Sequence, residues 1–176
     1  ALTCYDASFA AALERAELDI ALVGDSLGMV VQGQDSTLPV TLEQMVYHCK
    51  AVARGLRTPL LIADMPFMSY RDVPVAMDSA IRLLAEGGAA MVKVEGAGWV
   101  VDVIKALAER DVPVCAHLGL TPQSVHKLGG YRVQGKLEAQ AQQLLEDAHA
   151  VSNAGADLLV LECVPAELAT RITREV

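Results

Sequence analysis

Aromatic side chains are scarce in this sequence: two Phe, four Tyr and one Trp among 176 residues. The core is therefore expected to be aliphatic, built from Val, Leu, Ile, Ala and Met. Basic charge is also short, with 14 Lys and Arg against 22 Asp and Glu and a formal net charge of −8. That balance speaks against nucleic acid or an anionic membrane as a partner. An anionic small molecule would need a local cation or a metal. No apolar run is long enough to span a bilayer, and no signal peptide is visible. The four cysteines, Cys4, Cys49, Cys115 and Cys163, form no CxxC pair. Three lie in or beside apolar runs, where Cys behaves as a small hydrophobe, and Cys163 is also read as packing. A reduced, cytoplasmic protein is expected. Walker spacing, GxGxxG, HisxxxHis and HisGluxxHis are missing, so neither a phosphate loop nor a zinc site is signalled.

What is present is an unbroken alternation of strand and helix signals. Strands are expected over 1–5, 19–24, 58–63, 90–94, 112–116 and 157–161, and helices over 7–17, 41–54, 72–86, 99–110, 136–153 and from 164 or 165 onward. Thr41 to Gln44 has capping-box spacing, and Asp72 with Pro74 opens the next helix. Two long loops, 25–40 and 118–135, interrupt the pattern and are candidates for a functional role. The strands are apolar runs rather than period-two stripes, which predicts a parallel sheet covered on both faces. A short internal repeat supports regular units: Gly88-Ala89 precedes Glu95 by seven residues, as Gly155-Ala156 precedes Glu162. Six βα units fit an open doubly wound sheet or a (β/α)8 barrel with two units absent. Tyr5-Asp6-Ala7-Ser8, with no glycine fingerprint, follows the first strand, and polar groups finish nearly every strand. Both features favour the barrel, whose sites collect at the C-terminal ends of its strands.

The strand-end groups are the candidate chemistry. Asp25 ends the run Ile20-Ala-Leu-Val-Gly24, and Asp64 ends the third strand. Two such carboxylates with Glu95 nearby suit a hard cation such as Mg2+, unless each Asp merely caps the helix that follows. Lys93 is the cation in a buried strand and needs an anionic partner: Glu95, or a substrate carboxylate or enolate oxygen. His117 ends the fifth strand and is more simply a hydrogen-bonded structural residue. Glu162 follows four apolar residues. If buried there, it is either ion-paired with Lys93 or an arginine, or suited to act as a general base. Together these groups fit proton abstraction next to a carbonyl.

Specific motifs go further. Val23-Gly-Asp-Ser-Leu-Gly-Met29, Asp35-Ser-Thr-Leu-Pro-Val-Thr41, Ala63-Asp-Met-Pro-Phe-Met68, Val92-Lys-Val-Glu-Gly96, His117-Leu-Gly-Leu-Thr-Pro-Gln-Ser124 and Leu159-Val-Leu-Glu-Cys-Val-Pro165 together resemble ketopantoate hydroxymethyltransferase. The match covers nearly the whole chain in the family's order. The resemblance implies a TIM (β/α)8 barrel, one domain over 1–176, lacking the last two βα units and an N-terminal lead-in helix. It also implies transfer of the methylene group of 5,10-methylenetetrahydrofolate to 3-methyl-2-oxobutanoate with Mg2+. The metal positions fall on Asp25 and Asp64, with Glu95 in or next to the shell. The oxo acid would meet Asp25, Ser26, Asp64 and Lys93, with His117 lining the site. Glu162 matches the proton acceptor, and a ring-based homodecamer is implied. With six strands, the first and sixth are expected to expose edges. The competing readings are an Mg2+-dependent lyase or mutase of the phosphoenolpyruvate-type barrels, and a non-catalytic remnant.

Overall fold

The apolar runs become short strands that pair in chain order. A computed structural model describes residues 1–176, which form two compact units, Ala1–Lys93 and Val94–Val176. In the first, β1 (Leu2–Thr3), β2 (Ile20–Val23) and β3 (Leu60–Asp64) lie side by side, and β3 pairs with the start of β4 (Met91–Glu95). Every pair is parallel, in the register Leu2↔Ala21, Ile20↔Leu60 and Asp64↔Lys93. Parallel neighbours cannot be joined by a tight hairpin, so each connection carries helix. These are α1 (Ala7–Arg15), the short α2 (Leu27–Val30) followed by α3 (Leu42–Ala53), and α4 (Val73–Ile81).

The helix starts at Leu42 and Val73 lie where the capping signals stand, and Asp6 caps the first helix as well. The Asp6 carboxylate accepts the Phe9 N–H at 2.8 Å, Thr41 and Gln44 form a reciprocal capping box, and Asp72 accepts the Val75 N–H at 2.9 Å. Helix α3 buries Met45, Val46, Cys49 and Val52 and packs on β2 and β3. Those positions recur at the spacing of one helical face.

In the second unit β5 (Val114–Gly119) and β6 (Leu158–Glu162) pair in parallel, from Cys115↔Leu158 to Gly119↔Glu162. Helix α5 (Val100–Ala108) buries Val100, Val103, Ile104 and Leu107 and packs on β5. A 3-10 turn (Pro122–Ser124) and α6 (Val125–Leu128) precede α7 (Glu138–Asn153). Helix α7 packs on β5 and on α8 (Ala166–Glu175). From β1 through β3 to the start of β4 the strands pair in chain order without reversal. A doubly wound sheet reverses at a switch point, so its order is excluded. In the glycine–glutamate repeat, Gly88 (φ 79°) and Gly155 (φ 103°) both take left-handed backbone on leaving a helix.

Several expectations change. The first strand is only two residues long, and β6 is half-exposed throughout, with Val160 37% exposed. β1 is an outer strand of the first unit and β6 of the second, so an apolar run here does not mean burial on both faces. The segment 25–40 is not wholly loop, because α2 begins two residues after Asp25. The segment 118–135 likewise holds a 3-10 turn and α6. Strand β5 continues to Gly119, because Leu118 and Gly119 still pair with Leu161 and Glu162. His117 therefore sits within the strand, not at its end. Cys4, Cys49 and Cys115 are buried, but Cys163 is exposed, with φ 48°, and does not serve as packing. No helix is long and apolar enough to cross a membrane.

Candidate active site

The first unit gathers Asp25, Ser26, Asp64 and Lys93. Asp64 is the last residue of β3, and Lys93 stands directly opposite it in the β3–β4 register. Both are buried, and Lys93 Nζ lies 2.7 Å from Asp64 Oδ1. The partner of Lys93 is thus a carboxylate on the neighbouring strand, not Glu95 on its own. Spacing explains the choice: adjacent strands are about 4.8 Å apart, whereas residues i and i+2 of one strand are roughly 6.6 Å apart. A buried lysine without a counter-charge would be strongly destabilising, and the pair removes that cost.

The other Asp64 oxygen, Oδ2, accepts the backbone N–H of Asp25 at 3.0 Å. This joins the ends of β2 and β3. The capping alternative fails for both aspartates: Ser26, not Asp25, holds the N-cap position of α2, and Asp64 bonds to Asp25 and Lys93. Asp25 itself is 2% exposed. Gly24 makes the close approach possible. A Cβ there would stand 2.9 Å from Ser26 Oγ and 3.4 Å from Asp64 Oδ2. Behind the pair, burial pushes the Cys49 thiol up to about 12, and the negative charge of Asp64 adds to the effect.

The second unit gathers Glu95, His117 and Glu162. His117 is 2% exposed and faces a carboxylate on each side. Its Nδ1 lies 3.3 Å from Glu95 Oε1 and its Nε2 lies 3.2 Å from Glu162 Oε2. Neutral imidazole has one N–H and can donate to only one of them, whereas imidazolium donates to both. The second oxygen of Glu95 accepts the Gln123 N–H at 2.9 Å, which ties the 3-10 turn to the strand end. Glu162 departs from expectation: its side chain is 41% exposed, and its partner is His117, neither Lys93 nor an arginine. The end-strand position of β6 accounts for the exposure.

Mg2+ can be tested against this donor set. No three His, Cys, Asp or Glu side chains converge closely enough to form a protein-only cage. Mg2+ does not require one, since it commonly takes one or two carboxylates and completes its shell with water and substrate oxygens. Asp25 and Asp64, buried at adjoining strand ends, fit that requirement. Each Asp64 oxygen still has a lone pair after its bond to Lys93 or to the Asp25 amide.

Two features escaped the sequence reading. Tyr5, two residues beyond β1, places its hydroxyl 2.7 Å from Ser26 Oγ. Gly119, with φ 91°, lies so close to β6 that a Cβ would stand 2.3 Å from the Glu162 carbonyl oxygen. The signal for Tyr5 was available: it is a polar side chain at the end of an expected strand, like the others.

Comparison with known proteins gives a concordant result. A profile described as ketopantoate hydroxymethyltransferase matches residues 1–176. The 3-methyl-2-oxobutanoate hydroxymethyltransferase of Marinobacter nauticus is 60% identical over 176 residues, covering 100% of this chain and 66% of that protein. Its counterpart from Nitrosococcus oceani is 58% identical over 172 residues, covering 98% of this chain and 65% of that protein. The chain therefore spans about two thirds of the length of these relatives. Among solved structures, 2,3-dimethylmalate lyase, a PEP mutase/isocitrate lyase superfamily member, is similar with a TM-score of 0.73 at 20% identity, covering 100% of this chain and 63% of its own. A phosphonopyruvate hydrolase in complex with oxalate and Mg2+ gives 0.74 at 14%, covering 99% and 62%. At such identities these two establish likeness of fold only.

Proposed function

The chain belongs to the ketopantoate hydroxymethyltransferase family, and we propose that the protein transfers the one-carbon unit of 5,10-methylenetetrahydrofolate to 3-methyl-2-oxobutanoate, forming ketopantoate for pantothenate synthesis. The observation that carries this reading is the buried Asp64–Lys93 pair at a strand end, with the Asp25 amide on the same carboxylate. It supplies fixed donors and a cation where an anionic 2-oxo acid needs them.

On this reading Asp25, Ser26, Asp64 and Lys93 meet the oxo acid, and His117 lines the site. Mg2+, held by Asp25 and Asp64 with Glu95 in or beside its shell, would supply Lewis acidity toward the carboxylate and ketone oxygens. Lys93 has three N–H groups, so it can keep Asp64 and still donate to a substrate oxygen. Its charge stabilises the negative oxygen that forms when C3 loses its proton. Glu162 accepts that proton. Its exposure leaves it open to substrate, and His117 steadies its Oε2. C3 then forms the new bond to the one-carbon unit held by the folate. The segments 25–40 and 118–135 exclude water from the reaction. The same family reading carries with it a (β/α)8 barrel, a ring-shaped homodecamer and a cytoplasmic location.

The test follows the C3 proton of 3-methyl-2-oxobutanoate by NMR in deuterated water, with and without Mg2+. Metal-dependent exchange that Glu162→Gln abolishes, followed by ketopantoate formation once methylenetetrahydrofolate is added, is the expected result. Exchange without subsequent transfer would favour the lyase and mutase alternative, which has only likeness of fold behind it. A folded protein with no exchange would favour the non-catalytic reading.

A further inference from the structure

Tyr5 follows β1, the strand beside β2, by two residues, and its hydroxyl is 2.7 Å from Ser26 Oγ. Three contacts hold it there. The Cys4 N–H donates to the Leu22 carbonyl at 2.9 Å, which continues the β1–β2 pairing up to Tyr5. His48 Nδ1 donates to the Tyr5 carbonyl at 2.8 Å, which places the proton on that nitrogen. The two rings also meet edge to face, with centroids 6.5 Å apart and planes at 85°. Ser26 is confined in turn, since its Oγ and Asp64 Oδ2 crowd the same side of Gly24.

We propose that Tyr5 is a positioning residue for the 2-oxo acid, acting through Ser26: its phenol O–H donates to Ser26 Oγ, and the Ser26 hydroxyl is thereby turned to donate to an anionic oxygen of the substrate. This rests on the functional reading above, in which Ser26 meets the oxo acid. A lone serine hydroxyl rotates freely and can point its proton away from an acceptor. With its lone pair taken by a phenol, its own proton is free for an oxygen that can only accept. Hydrogen bonds in such a chain also polarise one another. The contact is made to bound substrate whether or not the reaction proceeds, so its loss acts on binding and leaves the chemical step in place.

The test is a double-mutant cycle read by calorimetric binding of 3-methyl-2-oxobutanoate in the presence of Mg2+. Tyr5→Phe keeps the ring against His48 and removes only the hydroxyl. Its Kd is expected to rise about tenfold, the effect of one lost hydrogen bond to or through a charged acceptor. The KM for the oxo acid should rise in parallel, with kcat and the melting temperature unchanged. Adding Tyr5→Phe to Ser26→Ala should weaken binding no further than Ser26→Ala alone, because the phenol acts only through that hydroxyl. Unchanged affinity in Tyr5→Phe, or additive losses in the double variant, overturns the relay while the functional reading stands. Failure of the unmodified protein to bind the oxo acid overturns both.

Discussion

Lys93 Nζ and Asp64 Oδ1 are 2.7 Å apart, on side chains that are each 5% exposed, and they face one another across two parallel strands. This cross-strand pair makes a lysine tolerable in a buried strand, and it aims a cation at the strand ends. Lys93→Met should cost about 3–5 kcal/mol, because it leaves the Asp64 carboxylate buried without its counter-charge. Combining it with Asp64→Asn removes that charge, so the double variant should be more stable than Lys93→Met alone. Urea unfolding of the two variants beside the unmodified protein checks the order, and neither variant should support exchange at C3 of the oxo acid.

Gly119 has φ 91°, and a Cβ there would meet the Glu162 carbonyl oxygen at 2.3 Å and Val164 Cγ1 at 2.8 Å. Gly119→Ala should therefore push the end of β6 away and shift Glu162 from His117. Gly33 is the control: its φ is 71°, but nothing lies within 4 Å of its Cβ position. Gly33→Ala should cost about 1–2 kcal/mol for left-handed backbone alone, and Gly119→Ala distinctly more. Only the second should slow C3 exchange. Thermal unfolding and NMR exchange rates, measured together, separate the two effects.

His117 holds Glu162 at 3.2 Å and Glu95 at 3.3 Å. Replacing it with Phe keeps a flat ring of similar bulk but removes both nitrogens. If Glu162 accepts the proton as proposed and His117 orients it, exchange at C3 should fall by about 10²-fold, the order of loss that accompanies misplacement of a reacting group by an ångström. The Kd for the oxo acid, whose other contacts on the proposed reading come from Asp25, Ser26, Asp64 and Lys93, should change far less. Parallel exchange and calorimetry experiments decide the matter.

Cys49 is fully buried, and burial with the nearby Asp64 charge raises its thiol from 9.0 to about 12. The folded chain thus keeps this proton where the unfolded chain releases it. The resulting stability is complete below pH 9 and is lost as pH rises from 9 toward 12, by up to about 1.4 kcal/mol per pH unit. Urea midpoints measured between pH 8 and pH 11 should fall less steeply in Cys49→Ala. At pH 8 a thiol reagent should label the exposed Cys163 in the native protein and leave Cys4, Cys49 and Cys115 untouched.

Local rules made most of the elements legible. The caps at Thr41 and Asp72 and the apolar runs around Ile62, Val92 and Ala116 act over a few residues, so the chain order alone reveals them. The candidate groups Asp25, Asp64, Lys93, Glu95, His117 and Glu162 were legible for a related reason: each is a polar side chain in or at the end of a run that otherwise avoids them. Motif resemblance then attached a chemistry to the set. What the sequence left open was partnership. Lys93 could have answered Glu95 two residues away, but strand register put Asp64 nearer. Glu162 read as buried because four apolar residues precede it, yet β6 is an end strand and leaves it half-exposed. Tyr5 and Ser26 stand 21 residues apart, and nothing local pairs them. Composition, periodicity and capping are short-range and determined the elements and the residue types. Register and edge position are set by backbone hydrogen bonds between distant segments, and only tertiary structure decided which charges and hydroxyls met.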